Sequence, residues 1–131
     1  MRIMLAFALI AVLLTIAALP GCGETSSTYT GPMIAVKGKV TYKGQPLIQG
    51  TVSFEPDGSG REGQGEIQPD GSYVMSTYKE GDGIAPATYR VAIIGKPKGG
   101  KPLPVKYRNA SSSKLEADVT SEKTDFDFHI K

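Results

Sequence analysis

The sequence predicts an all-β fold, an antiparallel β-sandwich of seven short strands. Three observations lead there. Beyond residue 33, apolar residues recur at every second position in one segment after another. Between these segments stand Asp-Gly, Gly and Pro residues, the chemistry of tight turns between short strands. No window after residue 22 carries a capped apolar stripe of helical period. With 16 glycines and 9 prolines the chain is well supplied with turn formers, and the recurring alternation argues against low-complexity disorder.

The first strand covers residues 34–42: Ile34, Val36, Gly38, Val40 and Tyr42 face one way, and Lys37, Lys39 and Thr41 the other. Residues 43–50, broken by Gly44, Pro46 and Gly50, read as a loop. Residues 51–55 form a second strand with Val52 and Phe54 inward. A Pro-Asp-Gly turn at 56–58 leads to a weak, edge-like strand at 63–68. Pro69-Asp70-Gly71 turns the chain into a strand at 72–78, where Tyr73 and Met75 share a face. Residues 87–94 alternate Tyr89, Val91 and Ile93 with outward Arg90 and Ala92. Residues 95–104 form a loop rich in lysine, glycine and proline. Strands at 114–120 and 124–130 close the domain. In the last, Phe126, Phe128 and Ile130 point in while Asp125, Asp127 and His129 point out.

The N-terminal end is of another kind. Met1-Arg2 is a short cationic start, and residues 3–19 are apolar except Thr15. Pro20-Gly21 follows, so residues 1–21 read as an export signal peptide. The apolar run is a little short of the roughly 20 residues that span a bilayer. Residues 22–33 read as a tether, small and polar, with a reach of roughly 15–20 Å as a flexible coil. Residues 34–131 are the β-sandwich domain. The formal net charge of +2, part of it from Arg2 in the leader, gives no general pull toward nucleic acid. With a single cysteine no internal disulfide forms, and the domain relies on its core.

That cysteine, Cys22, has four readings. A buried structural thiol does not suit the polar Gly-Glu-Thr-Ser-Ser-Thr that follows. A metal ligand lacks partners, since the one histidine is His129. A catalytic thiol lacks a local base. The fourth is lipid attachment: Leu19-Pro20-Gly21-Cys22 resembles the bacterial lipobox, with Leu three residues before the cysteine and a small residue just before it. Pro20 stands where that family usually has Ala, Ser, Thr or Val. The resemblance implies diacylglyceryl transfer to Cys22, cleavage between Gly21 and Cys22, and acylation of the new amine by a fatty acid such as palmitate. Each buried methylene adds ~0.8 kcal/mol, so two or three chains anchor durably. The protein is then expected in the bacterial cell envelope, lipid-anchored and extracytoplasmic, on the periplasmic face of either membrane or at the cell surface. Gly23, in place of Asp, suits outer-membrane delivery under the sorting rule of some bacteria.

Two longer stretches carry a second resemblance. "VKGKVTYKGQPLIQGTVSFEPDG" and "PDGSYVMSTYKEGDGIAPATYRVAI" are similar to the carboxypeptidase regulatory-like domains, with a Gly-x-Pro-Leu loop, an Asp-Gly-aromatic turn and an Ala-x-Tyr-x-Val strand. The tail "LPVKYRNASSSKLEADVTSEKTDFDFHIK" resembles the ending of small bacterial lipoproteins of the planctomycete type. The resemblance covers residues 34–131. It implies a transthyretin-like (prealbumin-like) sandwich of seven or eight strands, generally non-catalytic, and so narrows architecture more than function.

Candidate chemistry is sparse. Asp57-Gly58, Asp70-Gly71 and Asp82-Gly83 lack the spacing of a calcium loop and are read as turns, with no metal and no cofactor expected. Transthyretin-like sandwiches include a 5-hydroxyisourate hydrolase, which relies on more than one histidine and a C-terminal Tyr-Arg-Gly-Ser. Here only His129 and the partial echo Tyr107-Arg108-Asn109-Ala110 occur, so no catalytic residue is assigned and the hydrolase is the weakest reading. Residues 111–113, all serine, read as a solvated loop without a partner base. Lys37 or Lys39 with Asn109 or an aspartate is similar to the isopeptide pairs of adhesin sandwiches, but both lysines fall on the polar face and are read as surface. Lys96, Lys98, Lys101, Lys106 and Arg108 form a basic segment with no acid between 95 and 108, either a solvated loop or a docking patch. Tyr29, Tyr42, Tyr78 and Tyr107 are either core or a stacking platform, with Tyr78 and Tyr107 bordering loops. The candidate ligand-facing set is therefore Tyr78, Tyr107, Lys96, Lys98 and Lys101. The expected partners are the membrane, through lipid on Cys22, and an envelope protein or glycan. The expected role is a non-catalytic binding or structural module, or alternatively a carbohydrate- or peptide-binding accessory to a secreted enzyme or transporter.

Overall fold

A computed structural model describes residues 29–131. The leader and Cys22, on which the export and acylation expectations rest, lie outside the described residues. The domain is all-β and mostly antiparallel, with seven strands: β1 (Lys37–Tyr42), β2 (Gln45–Pro56), β3 (Gly63–Glu66), β4 (Ser72–Val74), β5 (Ala87–Pro97), β6 (Leu115–Val119) and β7 (Phe128–Ile130). They form two ladders. One runs β3-β2-β5-β6, the other β4-β1-β7, and they join where the start of β2 pairs with the end of β1.

The inward residues of each strand meet in one core. Phe54 of β2 is its hub: its ring lies 5.9 Å from Phe126 and 6.2 Å from Phe128, both edge-on, and 5.8 Å from Tyr89. Such tilted and T-shaped pairs set the positive ring edge against the negative face. Phe54 and Tyr89 belong to one ladder and Phe128 to the other, so side chains of both ladders share this cluster. Val36, Val40, Tyr73, Met75, Val91 and Ile93 are buried around it, as their alternation predicts.

Several elements differ from the sequence expectation. Residues 43–50 are not a loop. Lys43 and Gly44 alone turn the chain, both with positive φ (51° and 79°), as a two-residue hairpin requires, and β2 begins at Gln45. The residues taken as breakers are absorbed by a bulge between Leu47 and Gln49 and by Gly50 lying opposite Gly95. There the backbones are so close that a Cβ on Gly50 would sit on the Ile94 carbonyl, and one on Gly95 would stand 2.5 Å from the Gln49 carbonyl oxygen. Gly95 therefore continues β5 to Pro97 and shortens the expected 95–104 loop to 98–104. The 72–78 strand ends at Val74 because the following residues turn around Asp82. Residues 105–113 carry a 3-10 turn (Val105–Arg108) and a single turn α1 (Ala110–Ser113), both packed on β5. Under this cover Ala92, expected outward, is buried, and so is Ala110. Ser113 is not solvated: it is buried, and its hydroxyl donates to the Val91 carbonyl.

β7 joins β1 in parallel, not antiparallel, register. The outward row of β7 then faces that of β1. Lys37 stands opposite Asp125, the Lys39 N–H donates to Asp127 Oδ1 at 2.8 Å, and Thr41 Oγ1 lies 2.8 Å from His129 Nδ1. Lys37 and Lys39 are exposed, as expected. Beneath β1, Tyr73 reaches from β4 under Gly38, and its hydroxyl donates to the Phe126 carbonyl at 2.5 Å. Any side chain on Gly38 would collide with that carbonyl and with the Tyr73 hydroxyl 2.9 Å away. The glycine is there so that a tyrosine can pass.

Two outcomes are expected. Tyr73→Phe strands a buried carbonyl and is expected to destabilise by about 1–2 kcal/mol in chemical denaturation. Gly38→Ala, which drives β1 and β7 apart, is expected to cost about 3 kcal/mol. A Gly38→Ala protein as stable as wild type would refute this packing. In the alkaline range, burial pushes Tyr73 far above the ordinary phenol value, with Asp127 and Asp125 adding to it, and pushes Tyr89 up to about 12, with Tyr29 adding. Raised folded values mean that stability is full below about pH 10 and falls as pH rises beyond it. Tyrosinate absorbance from these two residues should therefore appear together with unfolding.

Candidate functional site

The most organised surface lies around Tyr78. The sequence Ser76-Thr77-Tyr78-Lys79-Glu80-Gly81-Asp82-Gly83 folds back on its own aspartate. Asp82 Oδ1 accepts the Thr77 N–H at 2.7 Å, and Oδ2 accepts those of Tyr78 and Lys79 at 3.0 and 3.1 Å. Ser76 Oγ accepts the Gly81 N–H at 2.7 Å, and Thr77 Oγ1 donates to the Gly83 carbonyl at 2.8 Å. Gly81 and Gly83 supply the positive φ values, 74° and 90°. Desolvation pushes the Asp82 carboxyl up, but the N–H groups of Thr77, Tyr78 and Lys79 together outweigh it and hold the group below the usual carboxylate range.

This loop presents Tyr78, 41 % exposed, with its ring 5.0 Å from the Arg61 guanidinium. A cation held over the ring face at that distance is favourable even in water. The Tyr78 hydroxyl accepts the Tyr29 N–H at 3.3 Å, so the described N-terminal end sits against the same loop. Tyr29, Met33, Pro56, Arg61, Tyr78 and Tyr89 line a largely apolar cleft of about 220 Å³. At its wall the Tyr89 hydroxyl donates to the Ala85 carbonyl at 2.7 Å. On the other side of Tyr78 and Arg61 lies a wider polar recess of about 430 Å³ edged by Glu62, Gln64, Lys79 and Glu80. The pair forms a wall shared by an apolar slot and a polar basin. A flat group with an apolar face and polar edge, such as a sugar ring or an aromatic or proline side chain, suits that arrangement.

The other sequence candidates lie elsewhere. Tyr107, on the 3-10 turn, is half-buried against the core, with the Lys106 amine 4.8 Å from its ring centroid. Lys96 is an exposed residue of β5, and Lys98 and Lys101 are exposed on the 98–104 turn. That turn is held by buried Leu103, whose N–H donates to the Gly95 carbonyl at 2.9 Å. β5 runs from Ala87 at the Tyr78 cleft to Pro97 at these lysines. At strand rise that places the two groups roughly 30 Å apart. Tyr78 and the lysines are therefore not parts of one site.

The three Asp-Gly carboxylates are separately engaged: Asp57 with Arg90 at 3.0 Å, Asp70 with Ser72, and Asp82 with its own loop. Among the described residues no three His, Cys, Asp or Glu side chains gather as a metal site would require. Sequence reasoning missed Arg61, Met33 and the organising role of Asp82. The signal for Asp82 was available, because an aspartate followed by glycine and preceded by a short polar run is a good acceptor for free backbone N–H groups. Arg61 carried no signal, since only the fold brings it over Tyr78. The chain matches no family model, no curated protein and no solved structure.

Asp82→Ala is expected to cost about 1–2 kcal/mol and to speed hydrogen exchange at the amides of Thr77, Tyr78 and Lys79. Since the folded carboxyl is depressed, the loop keeps its full protection above about pH 4 and loses it as pH falls further. Unchanged exchange at the three amides in the variant would show that Asp82 does not hold the loop.

Proposed function

We propose that the chain is a lipid-anchored, extracytoplasmic β-sandwich of the transthyretin-like, carboxypeptidase regulatory-like type. In this reading it acts as a non-catalytic binding module of the bacterial cell envelope. The observation that carries the binding role is the Tyr78–Arg61 cleft, a recess whose wall is held in place by Asp82 before any ligand arrives. A wall already ordered loses little freedom on binding, which favours recognition of a small group. Its ligand is then a sugar ring of an envelope glycan or an aromatic or proline side chain of an envelope protein. An accessory role beside a secreted enzyme or transporter is one form of the same reading.

The anchor is supported by Leu19-Pro20-Gly21-Cys22 and by the small, polar tether of residues 22–33 that separates Cys22 from the domain. The non-catalytic character is supported by where the hydrolase-like residues stand. His129 lies on the outer face of the β4-β1-β7 ladder, engaged with Thr41, whereas Tyr107 and Arg108 lie against β5 of the other ladder. Acid–base chemistry needs such groups within hydrogen-bond reach of one substrate.

The intact mass of protein extracted from membranes is expected to equal residues 22–131 plus diacylglyceryl and one acyl chain, and Cys22→Ser is expected to lack both. An unmodified mass would end the anchor reading. In pull-down from solubilised envelope glycan and peptide fractions, Tyr78→Ala is expected to lose retention several-fold. Retention equal to wild type would remove the cleft from the binding reading.

A further inference from the structure

The basic segment at 95–108 has neighbours that the sequence keeps far away. β1 and β2 meet in the Lys43-Gly44 turn, and Leu47, just beyond it, pairs with Pro97. Lys43 therefore emerges at the same end of the molecule as Lys96, Lys98 and Lys101. The Lys43 N–H donates to the Ile130 carbonyl at 2.8 Å, which brings Lys131 beside that turn. Lys106 and Arg108 follow on the 3-10 turn against β5. All seven side chains are exposed. No acid occurs within residues 41–48 or 95–108. In the adjoining turn, against Pro46, the Asp70 carboxylate accepts the Ser72 hydroxyl at 2.5 Å and its N–H at 3.0 Å.

The opposite end is balanced. Arg61 and Lys79 share the polar recess with Glu62 and Glu80, and Asp57 pairs with Arg90. It is also where the described chain begins, with Tyr29 on Tyr78. Seven residues of any conformation reach at most about 25 Å. A protein acylated at Cys22 thus keeps the cleft end within about 25 Å of its bilayer, and with β5 directed away from the surface the lysine end lies roughly 30 Å farther out. Charges more than about 8–10 Å from headgroups are largely screened from them at physiological salt.

We propose that this end is a second binding surface, and that its partner is an acidic glycan chain rather than the headgroups of the protein's own membrane. Lysines dominate it, and as mobile point charges they suit a flexible polyanion with spaced carboxylates or sulfates better than a single planar anion. The outward orientation rests on the anchored reading; the convergence of charge does not.

The test uses full-length protein extracted in a zwitterionic detergent. It is titrated with heparin oligosaccharide and with polygalacturonate, beside neutral dextran and phosphatidylglycerol vesicles. Both acidic glycans are expected to bind, with affinity falling steeply as salt rises. Lys98→Gln/Lys101→Gln is expected to weaken binding by at least about tenfold, and Lys43→Gln by about threefold or more. Lys37→Gln/Lys123→Gln, on another face, is expected to stay within about twofold, and all variants to keep the wild-type melting temperature. Lys43→Gln is the sharpest arm, because only a folded surface couples it to the distant loop. Equal loss from the control pair, no loss from Lys43→Gln, or preference for the vesicles over both glycans would overturn the proposal. The intact mass of the same preparation reports on the anchor separately. Unmodified Cys22 with Lys43-dependent glycan binding would support the surface and overturn its outward orientation.

Discussion

The hydroxyl of Tyr73, donated to the Phe126 carbonyl beneath Gly38, is the contact on which the β4-β1-β7 ladder depends. A parallel strand cannot be joined to its neighbour by a tight turn, so β7 must be fixed by other means. Tyr73 fixes it from inside, while Asp127 and His129 fix it from outside through Lys39 and Thr41. Once β7 is placed, Phe126 and Phe128 meet the edge of Phe54, and the two ladders close on one core. A missing side chain at one glycine thus decides the position of three aromatic rings.

The inward and outward rows of this fold were legible in the sequence because a half-buried strand must alternate. Val52, Phe54, Tyr73, Met75, Val91, Phe126 and Phe128 are all buried as their alternation predicts. What alternation cannot report is pairing. Gly50 and Gly95 look like breakers when each is read alone, yet opposite one another they let two backbones approach and extend both strands. The parallel register of β7 leaves no local mark either, because the same in–out row serves either direction. Ala92 and Ser113 were misread for a related reason. Their burial comes from residues 105–113 folding over β5, a short segment too small to carry a helical stripe of its own.

The candidate site divides in the same way. Tyr78 was legible as an aromatic at a loop border, but its partners Arg61, Met33 and Tyr89 come from three other parts of the chain. The near-neutral composition hides how charge is arranged. Acids and bases alternate around the polar recess beside the cleft, whereas Lys43, Lys131 and the 95–108 segment reach the other end without acids among them. Net charge describes solubility; the placement of strand ends decides the local field.

The parallel pairing of β7 also bears on the order of events during synthesis. β1 is among the first strands to emerge, yet one of its flanks is completed only by residues 124–130. Contacts of such long sequence separation form late and slowly, because the loop between them must be closed first. Until β7 arrives, Phe54 lacks two ring partners and Tyr73 lacks its acceptor. A chain made from its N-terminal end therefore stays uncommitted, with part of its core uncovered, until residues 124–130 have been made.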